Sequence, residues 1–182
     1  VDGSAGEGGD MVDRIRTVRR QLALEMGFIV PPVHIRDNLQ LKANAYVVLL
    51  KGNEVARGDV RSGCYLAVCA GTPTAAVPGV PTVEPAFGMD ALWVSPQERE
   101  RAQVSGYTVV DGGTAIITHL TEVIRRHANE LLGRQEVQQL LDALAKSRPK
   151  VVEELVPQQL TVGGVQKVLQ NLLREGVSIR DL

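Results

Sequence analysis

Gly106-Tyr107-Thr108-Val109-Val110-Asp111, followed by Ile116-Ile117-Thr118-His119-Leu120, marks the point where the chain changes its hydrophobic period. Tyr107 to Val110 is a short aromatic and β-branched run opened by Gly106, which reads as a strand. Beyond it Ile116, Ile117, Leu120, Val123, Ile124, His127, Ala128 and Leu131 recur at i, i+3, i+4 and i+7. That spacing puts them on one stripe of a helix. Strands and helices alternate before this point and helices alone follow it, so the expected fold is mixed α/β (α+β).

Upstream, residues 1–9 are glycine-rich and expected to be flexible. Asp10 reads as an N-cap, with Asp13 in the capping-box position. Val12, Ile15, Val18 (or Arg19), Leu22 and Met26 carry a helical stripe that Gly27 closes. Pro31-Pro32 enforces an extended entry into a strand at Val33-His34-Ile35. Tyr46 to Leu50 is apolar throughout and reads as a central strand, and Lys51-Gly52-Asn53 turns it into a hairpin partner over Glu54 to Val60. From Gly63 on, short strands at Tyr65 to Cys69 and Leu92 to Val94 are separated by a proline-rich loop. Ser95-Pro96 starts a short charged helix that ends at Gly106.

Downstream, Gly133 ends the long stripe. Val137, Leu140, Leu141 and Leu144 form a second helix stopped by Pro149, and Val151 to Val156 a third stopped by Pro157. Val165, Val168, Leu169, Leu172 and Leu173 form a fourth, ended by Gly176. Ser178 and Asp181 hold capping-box positions for a further helix, so this helical part is expected to be truncated at its C-terminus. The expected organisation is a first small α/β subdomain (1–62 and 112–131), a small α/β subdomain inserted into it (63–111), and an incomplete helical subdomain (132–182).

Composition narrows the function. The 182 residues carry a net charge of -1 and are 44% apolar, as in an ordinary soluble domain. With no basic excess there is no electrostatic footprint for nucleic acid. The longest uncharged stretch, Ser62 to Val83, is broken by Pro73, Pro78 and Pro81 and is no membrane span. No signal peptide is visible either. Cys64 and Cys69 would face opposite sides of a strand, so two buried free thiols are expected rather than a bridge or metal site.

Catalytic patterns are missing. Neither Gly6-Glu7-Gly8-Gly9 nor Val162-Gly163-Gly164 has the lysine of a phosphate loop, and there is no nucleophile elbow and no H-E-x-x-H. His119 and His127 share a helix side but lack companion ligands, so no metal or other cofactor is expected. Glu153-Glu154 reads as solvated charge. Arg14, Arg16, Arg19 and Arg20 read as a solvated face, or more sharply as an anion contact in an oligomer ring.

The better candidate is a protein-docking surface. In Glu84-Pro85-Ala86-Phe87-Gly88, Phe87 sits on a proline–glycine bend where its ring could stand clear as an interface anchor, or could fill the core; pattern alone leaves both open. Glu84 beside it offers an acceptor on the rim to a basic or hydroxyl group of a partner. Trp93, inside a strand, reads as core.

Several stretches resemble the FlhA family of flagellar export-gate proteins and its injectisome relatives, over essentially all of Asp10 to Leu182. They include Gln21-Leu22-Ala23-Leu24-Glu25-Met26-Gly27, Val30-Pro31-Pro32-Val33-His34-Ile35-Arg36-Asp37-Asn38, Glu84-Pro85-Ala86-Phe87-Gly88, Gly106-Tyr107-Thr108-Val109-Val110 and Leu132-Gly133-Arg134-Gln135-Glu136-Val137. The resemblance implies a non-enzymatic part of the type III export gate at the cytoplasmic face of the bacterial inner membrane. Family members have a membrane half and four cytoplasmic subdomains that assemble into a nonameric ring; the membrane half and the fourth subdomain have no counterpart here. The implied partners are flagellar export chaperones with bound substrates, the FlhB cytoplasmic domain, the export ATPase complex and further copies of the chain. The implied chaperone-binding residues are Glu84, Phe87, Val110, Ala115 and Thr118, with Glu84 standing where the family has Asp. The wording around the aromatics is flagellar; an injectisome export gate is the alternative.

Overall fold

The structure, a computed structural model, describes residues 4–181. Its elements in chain order are α1 (Ser4–Met26), β1 (Ala45–Leu50), β2 (Asn53–Asp59), β3 (Tyr65–Val68), β4 (Val80–Val83), β5 (Asp90–Val94), a 3-10 turn (Pro96–Glu98), α2 (Arg99–Val104), β6 (Thr108–Asp111), α3 (Gly112–Arg126), α4 (Ala128–Leu131), α5 (Arg134–Ser147), α6 (Pro149–Leu155) and α7 (Val162–Arg174). The mixed α/β fold is therefore present. By contacts these elements form two units: residues 1–34 with 124–182, and residues 35–123. The division expected from sequence, at 62/63, 111/112 and 131/132, is finer.

The first unit is helical. Helix α1 begins before Asp10, so Asp10 is not its cap; it pairs with Arg14 at 2.7 Å one turn on. Of the segment expected to be flexible, residues 1–3 lie outside the described residues and 4–9 continue α1, since extending a helix costs far less than nucleating one. Ile15, Leu22 and Met26 are buried, as their spacing requires. The expected strand at Val33–Ile35 does not form: Val30 to Asp37 has no regular structure and pairs with no strand. Instead, Arg19 Nε and Nη2 both donate to Val30 O, at 3.2 and 2.7 Å, which satisfies a carbonyl that a ladder would have used. Arg19 thus leaves the solvated arginine face.

The stripe from Ile116 to Leu131 is two helices, with the break at His127. Helix α4 packs on α7, and α5 on α6 and α7. Gln166 and Gln170 both donate to Leu132 O at that junction. Among the described residues no helix follows α7. Ser178 Oγ donates to Glu25 O at 2.7 Å and Ile179 N–H to Met26 O at 2.9 Å, so the segment past Gly176 ties onto the end of α1 with Ile179 buried.

The second unit is built on strands. β1 and β2 form a separate two-stranded hairpin, so the strand expected to be central is not. Its apolar sequence is only half-buried, with Leu49 exposed. The other sheet has the order β4-β5-β3-β6, antiparallel throughout. β4 lies in what reads as a proline-rich loop. Pro81 is compatible with a strand there because β4 is at the sheet edge, where a missing N–H breaks no ladder.

Strict alternation gives this sheet two apolar faces. Ala67, Val94 and partly buried Leu92 and Val109 cluster with Ala102 of α2. Leu66, Val68, Ala91 and Trp93 cluster with Ala115 of α3 and with Val110. The second face carries the candidate site.

Candidate functional site

Six residues, Glu84 to Met89, connect β4 to β5. Glu84 N–H donates to Met89 O at 2.8 Å and Gly88 N–H to Glu84 O at 2.9 Å, closing the loop on itself. Gly88 takes φ +72, the left-handed conformation that this closure needs and that glycine adopts without strain. Ala86 is buried at 1% exposure and pins the loop, while Phe87 is 57% exposed. Of the two readings left open for Phe87, the structure has the ring standing clear.

Glu84 departs from expectation. It is 4% exposed, and both of its carboxylate oxygens are engaged locally: Oε1 accepts from Ala86 N–H at 2.7 Å and Oε2 from Phe87 N–H at 2.9 Å. The carboxylate is therefore not a rim acceptor. The cause is the bend itself, which turns two amide N–H groups toward the carboxylate, and charge-assisted bonds of this kind are the strong ones.

The other three residues lie on β6 and α3. Ala115 is buried, and Val110 packs half-buried in the same cluster. Thr118 is one turn from Ala115 on α3 and half-buried; its hydroxyl donates to Thr114 O at 2.9 Å, so it is spent within the helix. Asp111 anchors the start of α3, accepting from Thr114 N–H at 2.8 Å and from Thr114 Oγ1 at 2.7 Å. The structure thus joins Glu84 with Phe87 and Val110 with Ala115.

A cavity of about 250 Å³ adjoins these residues, lined among others by Tyr46, Gly58, Leu66, Val83, Pro85, Trp93 and Ala115. Tyr46 faces Gly58 across the β1–β2 ladder, and a Cβ at Gly58 would stand 2.5 Å from the Tyr46 hydroxyl. The same hydroxyl is hydrogen-bonded to His119 Nδ1 at 2.7 Å, with the rings edge to face. Burial, the Glu84 charge and the Asp59 charge together push the Tyr46 phenol up to about 12. Tyr46, Gly58 and His119 were not site candidates by sequence. The available signal was Gly58, since glycine inside a strand marks a close approach of another group.

His127 Nδ1 lies 2.7 Å from Glu130 Oε1, and no group of three metal-ligating side chains is found among the described residues. Cys64 and Cys69 are free but half-buried rather than buried. No helix among the described residues is long and apolar enough to cross a membrane.

Against known proteins, the family model described as "FHIPEP family" matches residues 2–182. The flagellar biosynthesis protein FlhA of Bacillus subtilis (strain 168) is 50% identical over 178 residues, which is 98% of this chain and 26% of that protein. FlhA of Escherichia coli (strain K12) is 49% identical over 174 residues, 96% of this chain and 25% of that one. The chain thus spans about a quarter of the length of the curated relatives it matches. Among solved structures, the Chlamydia pneumoniae CdsV protein matches with a TM-score of 0.79 at 25% identity, covering 94% of this chain and 49% of its own. CdsV in complex with CdsO matches with the same score. With the family pattern running from one end of the chain to the other and half of the residues shared with flagellar relatives, this chain belongs to the FHIPEP family.

Proposed function

We propose that this chain is a cytoplasmic part of the flagellar type III protein export gate and that it docks export chaperones carrying their substrates at the Phe87 loop. The observation that carries the reading is an aromatic ring 57% exposed on a loop closed by its own hydrogen bonds, in a chain half identical to flagellar FlhA proteins. A rigid exposed aromatic is the usual form of an interface anchor, because little side-chain freedom is lost on binding. Val110, Ala115 and Thr118 are read with it as chaperone-binding positions, and Glu84 shapes the loop.

The same reading places the full-length protein in the bacterial inner membrane, with this part on the cytoplasmic face and self-associated in a ring. Its further partners are the FlhB cytoplasmic domain and the export ATPase complex, and it has no enzymatic role of its own. The finer division into 1–62 with 112–131, 63–111 and 132–182 belongs to this reading too. A flagellar system is favoured over an injectisome by identity of 49–50% to flagellar relatives against 25% to CdsV.

The test is Phe87→Ala, with thermal unfolding and titration of a purified cognate flagellar export chaperone bound to its substrate run in parallel. Truncating a central aromatic anchor costs about 2 kcal/mol or more of binding. Lost binding with an unchanged melting temperature supports docking at Phe87. Unchanged binding removes it.

A further inference from the structure

We propose that Glu84 is a positioning residue for docking: its buried carboxylate holds the β4–β5 loop so that Phe87 stands clear, and it acts through Phe87 rather than by touching the partner. The proposal rests on the docking reading of Phe87 and says how that site is built.

The geometry leaves little else for this carboxylate to do. At 4% exposure it presents no surface to a partner, and each oxygen already accepts from a backbone amide of the loop, at 2.7 Å from Ala86 N and 2.9 Å from Phe87 N. Burying a carboxylate is costly unless it is hydrogen-bonded, and charge-assisted bonds to N–H groups are the strong kind that offset the cost. Turning Glu84 outward to meet a partner would break both bonds. The second of these amides belongs to Phe87 itself, so the carboxylate fixes the backbone from which the exposed ring projects.

Three further constraints agree. Ala86, between the two, is 1% exposed and anchors the loop to the core. Glu84 also closes the loop through its own backbone, donating to Met89 O and accepting from Gly88 N–H. Gly88 holds φ +72, with open space around the position of an added Cβ. An anchor held in its bound position loses less freedom when the partner arrives, so disordering the loop should weaken binding without removing any contact.

The experiment is a double-mutant cycle on the whole chain with Glu84→Gln, Phe87→Ala and the double variant, titrated with a purified cognate flagellar export chaperone bound to its substrate. Amide exchange of residues 86 and 87 is followed by NMR without partner. Glu84→Gln keeps the shape but turns one acceptor into a donor facing an N–H, so faster exchange at both amides and about tenfold weaker binding are expected. The double variant should bind no worse than Phe87→Ala alone, since there is no ring left to position. Glu84→Asp, which keeps a carboxylate at ordinary capping reach, should retain most of the affinity. Gly88→Ala strains the loop without touching the carboxylate and should also weaken binding only while Phe87 is present.

Additive losses in the double variant, or amide exchange unchanged by Glu84→Gln, overturn the positioning role and leave docking at Phe87 standing. Wild-type affinity in Phe87→Ala overturns the docking reading and the positioning role together.

Discussion

The two hairpin connections of the second unit solve one problem by different means. β1 and β2 are joined by two residues, Lys51 at φ +52 and Gly52 at φ +86, the backbone pair of a type I′ turn. The residues of that turn are exposed, and a bulge at Val55 takes up the twist. β4 and β5 are joined by six residues folded around a buried carboxylate. The short turn needs only permissive backbone angles. The longer loop needs a charged side chain inside it because its bend turns two amides inward, and it is the one that puts an aromatic in solvent. A buried charge in a connection therefore points to a loop whose shape matters more than its reach.

The comparison breaks most sharply one strand away from the loop. Trp93 is 6% exposed in β5, and Trp93→Ala should lose about 3–5 kcal/mol of stability in denaturant unfolding. A loss under about 1 kcal/mol would mean that the face behind the loop is not packed as described.

Glu84→Ala comes next. It removes both charge-assisted bonds to the Ala86 and Phe87 amides, and about 2 kcal/mol of stability should go, read as a shift of the unfolding midpoint. Gly52→Ala in the other hairpin should cost only about 1 kcal/mol, because the left-handed φ is strained but nothing lies within 4 Å of the added methyl. If the two losses come out in the reverse order, the contrast between side-chain-built and backbone-built connections is wrong.

An effect confined to alkaline solution is a slope with pH. The Tyr46 phenol is raised from its ordinary 10.0 to about 12, chiefly by burial and then by the charges of Glu84 and Asp59. Between those values the unfolded chain has lost a proton that the folded one keeps, so stability is full below pH 10 and falls as pH rises towards 12. Unfolding midpoints of wild type and Tyr46→Phe should diverge in slope only in that window. Glu84→Gln, which removes one of the raising charges, should make the wild-type slope shallower.

How much of this was legible in the sequence differs by element. The helices of the first unit follow from their apolar period and their glycine and proline stops, because those signals are local. The Lys51-Gly52 turn and the strands at Tyr65, Leu92 and Thr108 are local in the same sense. The two strand errors share one origin. Val33–Ile35 has a strand-like pattern but finds no partner strand, and β4 looks like a loop but finds β5. Strand pairing is a tertiary event, which composition within a window does not record.

The candidate site divides along the same line. The bend at Pro85 and Gly88 and the position of Phe87 on it were determined by residue identity alone, since proline restricts φ and glycine supplies the left-handed turn. Whether the Phe87 ring was core or surface, which way the Glu84 carboxylate turned, and the meeting of Tyr46 with Gly58 and His119 were decided only by the tertiary structure. Each of these depends on which groups distant in the chain are left for a side chain to meet. Burial and hydrogen-bond satisfaction are properties of the assembled neighbourhood, and a linear pattern does not contain them.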